Sequence, residues 1–148
     1  MSDESVLHLS KFTKLKGISI ECPIITPSLL AKSLPKSTHT LSLARYNNLC
    51  NFTFSEKANF PNIDSIYIGG NILYPSFFSE CKFDNLKKLS LQNVTLVKGS
   101  LSACSDLANL KEVDVYISKN FVERTETFEK EVEALKKKGV KVHIQSDS

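Results

Sequence analysis

Five short segments of the chain share one pattern: an apolar residue, two residues, an apolar residue, one residue, an apolar residue. "LKGISI" supplies Leu15, Ile18 and Ile20, and "IDSIYI" supplies Ile63, Ile66 and Ile68. "LKKLSL" supplies Leu86, Leu89 and Leu91, and "LKEVDV" supplies Leu110, Val113 and Val115. A weaker copy, "THTLSL", keeps Leu41 and Leu43 but has Thr38 in the first position. The middle apolar residues are 18, 41, 66, 89 and 113, at intervals of 23, 25, 23 and 24 residues. One such segment says little, because any half-buried strand alternates this way. Five in near-constant register define a repeat, whose units bury their apolar sides by stacking on one another. The agreement extends upstream, where "FTKL", "FPNI", "FDNL" and "LANL" each end on the first apolar position.

The pattern resembles the leucine-rich repeat family, L-x-x-L-x-L-x-x-N/C-x-L, and the intervals here fall within that family's range of repeat lengths. "IDSIYIGGNIL" matches it throughout, with Asn71 and Leu73 in their positions. In the other copies the asparagine position holds Pro23, Tyr46, Val94 and Ser118, with Cys22, Asn47 and Asn93 one residue away. The resemblance implies an α/β fold, a leucine-rich-repeat solenoid. This would be a short, curved, right-handed horseshoe of about six parallel strands with a helical or irregular convex side. Its single domain would span residues 1–148: 1–14 as a half-repeat or cap, 15–120 as five repeats, and 121–148 as a capping helix and strand. Asn71 is expected to be a structural turn amide. After each strand the chain must turn sharply, and a side-chain amide can satisfy the buried backbone groups that the turn leaves unpaired.

The return segments carry helical spacing. "PSLLAKSL" (27–34), "SFFSECKF" (76–83) and "SLSACSDL" (100–107) place apolar residues three, four and six or seven apart, so each is expected to form one or two helical turns packed inward. Cys81 and Cys104 stand at similar points of their repeats and read as core. Near the C-terminus, Phe121, Phe128, Val132 and Leu135 form a helical stripe, Lys136–Lys138 crowd its last turn, and Gly139 follows, as the helix dipole and a left-handed cap prefer. The lysines read as a helix end rather than a nucleic-acid patch, because Glu129, Glu131 and Glu133 precede them. Val140, Val142 and Ile144 then alternate as a sixth strand. At the N-terminus "DESVLHLSKFTKL" reads as one short helix running into the first strand.

Composition narrows the function classes. At 148 residues one domain is expected. A formal net charge of +3 is too small to argue for nucleic acid or membrane as a partner. The four cysteines, at 22, 50, 81 and 104, form no CxxC pair and read as reduced thiols. The N-terminal segment carries acids where a signal peptide wants bases, and no apolar run reaches the ~18 residues of a membrane span. A cytoplasmic protein is expected, with the nucleus or non-classical secretion left open. "GG" at 69–70 lacks the lysine and helix of a phosphate loop. The three histidines, His8, His39 and His143, lie near no serine or cysteine in a nucleophile motif. No catalytic residue, cofactor or metal ligand is therefore expected, and the chain reads as a non-enzyme.

What remains is the face of the sheet between the inward apolar residues. Its central row reads Ser19, Ser42, Tyr67, Ser90 and Asp114. The next row reads Glu21, Ala44, Gly69, Gln92 and Tyr116, continued by Lys141 and His143 on the last strand, with Arg45 just beyond in its copy. Tyr67, Gln92, Tyr116, Arg45, Asp114 and His143 are the candidate partner-binding residues, since Tyr and Arg dominate binding hot spots. The plainer account is that an exposed strand favours Tyr for its β-propensity. Six strands span roughly 25–30 Å, a length suited to a peptide or small domain. The family implies a non-catalytic protein–protein interaction module. Four alternatives stand beside it: the substrate-recognition part or relic of an F-box ubiquitin-ligase adaptor with such repeats, a solenoid that dimerises through its N-terminal edge, an enzyme regulator, and a pathogen effector.

Overall fold

The computed structural model describes residues 9–20, 27–44, 58–70, 72–117 and 126–146. The sequence pattern becomes one parallel sheet. Its strands are β1 (Gly17–Ile20), β2 (Thr40–Ala44), β3 (Ser65–Gly69), β4 (Lys88–Gln92), β5 (Glu112–Ile117) and β6 (Lys141–Ser146). They lie side by side in chain order, every pair parallel. Parallel neighbours require a crossover between them. Among the described residues four α-helices stand in those crossovers: α1 (Pro27–Ser33), α2 (Ser76–Glu80), α3 (Ser100–Cys104) and α4 (Glu126–Lys137). Among the described residues a 3-10 turn, Leu9–Lys11, precedes β1.

The apolar residues fix the register. Ile18, Leu41, Ile66, Leu89, Val113 and Val142 pair across the sheet as one row, and Ile20, Leu43, Ile68, Leu91, Val115 and Ile144 as another. A slip of one residue would turn every one of them to water. Ile66, Ile68, Leu89, Leu91 and Val113 are almost wholly buried, and Leu30, Phe77, Leu101, Val132 and Leu135 from the four helices join the same core. Phe60 and Phe83, one repeat apart, stack at 5.0 Å between ring centroids. Thr38, the polar residue in an apolar position, is also buried. Its hydroxyl donates to the Leu15 carbonyl at 3.1 Å, which removes most of the cost of hiding it.

The repeat extends into the crossovers. Ala58–Asn59 pairs with Cys81–Lys82, and Ile72–Leu73 with Thr95–Leu96, each parallel. Within 76–83 the helix stops at Glu80, and Cys81 turns extended to pair with Ala58. Within 100–107 the helix likewise ends at Cys104. Both cysteines are buried. Gly70 (φ 60°) and Asn93 (φ 53°) stand one repeat apart at the strand exits, both left-handed, a conformation that glycine and asparagine tolerate best. They turn the chain while their amides donate to the Gln92 and Tyr116 carbonyls. Asn71 lies outside the described residues, as do Arg45 and Phe121.

The sheet ends in α4 and β6. Phe128, Val132 and Leu135 are buried as their spacing predicts, and Gly139 (φ 87°) closes the helix. Glu131 is an acid of this helix that the fold covers. It is buried, and its Oε1 accepts hydrogen bonds from the Ser102 amide (3.1 Å) and hydroxyl (2.9 Å). Among the described residues no helix is long and apolar enough to cross a membrane.

Candidate functional site

With the apolar rows turned to the helices, the alternate residues of each strand line the other face. The central row is Ser19, Ser42, Tyr67, Ser90, Asp114 and His143. Beside it run Ala44, Gly69, Gln92, Tyr116 and Gln145. The strand-entry row is Gly17, Thr40, Ser65, Lys88, Glu112 and Lys141. The last strand therefore corrects the expected rows. His143 is the partner of Asp114 in the central row, Lys141 is the partner of Glu112, and Gln145 continues the row of Tyr116. Val142 opposite Val113 forces this register, because it keeps both valines inward.

The rows bring five of the six predicted binding residues together. Tyr67, Gln92, Asp114, Tyr116 and His143 line one depression of about 540 Å³ over strands β3 to β6. Small neighbours make room for it. The Tyr67 ring lies along the strand over Gly69, where an added Cβ would stand 3.1 Å from the ring. From there the Tyr67 hydroxyl donates to Gln92 Oε1 on the adjacent strand. The tyrosine is thus held flat, with its polar tip fixed, rather than projecting freely from the sheet.

The opposite side of the depression is charged. Lys88 Nζ lies 3.4 Å from Asp114 Oδ2, and His143 Nε2 lies 3.5 Å from Glu112 Oε1. All four side chains are between about one third and just over one half exposed, where such pairs contribute little stability. Their spacing brings one donor atom each of Glu112, Asp114 and His143 within 4.8 Å of one another. Sequence spacing alone does not reveal this trio, because a whole helical crossover separates His143 from Asp114 in the chain; the signal was the register of the last strand. Ser90 shares the row, but Asp114 stands between it and His143. A hydroxyl nucleophile needs the imidazole next to it, so this order does not assemble a proton-relay triad.

A second set of side chains escaped the sequence reading. Asn85 Nδ2 donates to the Pro61 carbonyl and Asn109 Nδ2 to the Asp84 carbonyl, each at 2.5 Å. The amides tie each strand entry to the preceding repeat. The available signal was the recurrence of asparagine one residue before the first apolar position, in "PNI", "DNL" and "ANL".

Compared with models of known families, with curated proteins and with solved structures, the chain matches none.

Proposed function

We propose that the chain is a leucine-rich-repeat solenoid that binds a protein or peptide segment on the open face of its sheet and performs no chemistry of its own. The observation that carries this reading is the depression lined by Tyr67, Gln92, Asp114, Tyr116 and His143. It combines two aromatic side chains, amides, carboxylates and an imidazole on neighbouring strands. Orienting Tyr67 against Gln92 before any partner arrives lowers the entropy lost on binding. The small, half-buried residues beside it, Ser42 and Ala44, leave room along the strand for an extended segment.

The test is selection of a displayed peptide library on the full chain, followed by titration of enriched peptides. Peptides should bind the wild type and lose at least about tenfold in affinity to a Tyr67→Ala, Gln92→Ala, Tyr116→Ala variant that melts cooperatively. Equal affinity for both proteins would move the binding site off this face.

A second reading is favoured by one observation. β1 ends the sheet and pairs with β2 alone among the described strands, and an open edge is a template for another chain. On that reading light scattering gives a dimer that Ser19→Lys dissociates. Leu9, near the same end, is buried, so charging it would report unfolding instead.

A further inference from the structure

We infer that Glu112, Asp114 and His143 form a site for a divalent transition-metal ion of the zinc class. The inference does not depend on the binding reading. The strands supply the geometry: His143 is the direct partner of Asp114 across β5 and β6, and Glu112 precedes Asp114 by two residues on the same face. Two residues apart on one strand, plus the residue directly opposite, is the tightest trio that a parallel pair presents on one side.

The donors suit such an ion. Imidazole favours zinc and its neighbours over magnesium or calcium, and two carboxylates neutralise a divalent charge. His143 Nε2 and Glu112 Oε1 are 3.5 Å apart, close to the about 3.3 Å between two ligand atoms of a tetrahedral zinc ion with bonds near 2.0 Å. The third donor atom lies within 4.8 Å of both. Part-exposed side chains can close that remaining gap by rotation, with the strands unmoved. The cluster already draws in a cation, the Lys88 ammonium 3.4 Å from Asp114 Oδ2, and a metal ion would displace it. Three protein ligands leave a coordination position open toward the depression.

Calorimetric titration of zinc chloride into the full chain tests this, with the wild type, His143→Ala and Lys88→Met compared after each is shown to fold by circular dichroism. The wild type should bind one ion saturably, with the His143 ring proton resonances shifting in step. His143→Ala should bind at least about tenfold more weakly, since loss of even a supporting residue costs that much. Lys88→Met should bind roughly fivefold more tightly, because the ammonium 3.4 Å from Asp114 Oδ2 no longer competes for that oxygen. Thiols elsewhere in the chain would bind equally in wild type and His143→Ala. Equal titrations of those two, or no saturable binding to the wild type at millimolar zinc, would reduce the trio to an ion-paired surface and overturn the inference.

Discussion

Cys104 has almost no exposure, and its Sγ–H donates to the Ser100 carbonyl at 3.4 Å. Burial first, and the nearby Glu131 carboxylate second, push its thiol far above the ordinary value of 9.0. The sign of the consequence is fixed. The unfolded chain releases this proton as pH passes 9.0 while the folded chain keeps it, so the contribution is full below that pH and declines above it. By about pH 10.5 the wild type should have lost about 2 kcal/mol more than Cys104→Ala, relative to each protein at about pH 8. Urea unfolding across that range checks it, and equal slopes would mean that the folded thiol ionises freely. The burial itself was legible from the spacing of Cys104 with Leu101 and Leu107. The influence of Glu131 was not, because the two stand on different helices with a whole strand between them in the chain.

Among the elements, α4 is the one whose sequence was both well and poorly readable. Its apolar stripe follows the helical period, so Phe128, Val132 and Leu135 could be assigned inward. Glu131 stands in a run with Glu129 and Glu133 and looks solvated, yet it faces α3 and holds the Ser102 amide and hydroxyl. Only the docking of one helix on another decides which acid of such a run is covered. Glu131→Ala leaves those donors without their acceptor and should cost about 1–3 kcal/mol in urea unfolding. Glu133→Ala should cost under about 0.5 kcal/mol, because among the described residues Glu133 makes just an exposed contact with Lys136 at 4.0 Å. Similar costs for the two would contradict the assignment of Glu131 as the contact that seats α4. Where the short helices α2 and α3 end was not legible for a related reason. An apolar run at helical spacing looks the same whether its end stays helical or, as at Cys81, turns to pair with the previous repeat.

At the scale of the molecule, one near-constant interval sets β1 to β5 in register, and that register could be read from Ile18, Leu41, Ile66, Leu89 and Val113 alone. The open face followed from it, since period-two alternation leaves no choice of side. The rows broke down only at β6. The helix α4 stretches the interval from Val113 to Val142 beyond every earlier one, and a fixed repeat length no longer locates His143. The trio of Glu112, Asp114 and His143 was hidden by the same change. The central claim is that this face, rather than the helix-covered side, receives the partner. Chemical-shift mapping of the labelled chain with a peptide selected on it tests that claim most directly. Shifts should be confined to Tyr67, Gln92, Asp114, Tyr116, His143 and their strand neighbours. Shifts centred instead on Leu29, Phe78 and Leu107, on the helical side, would contradict it.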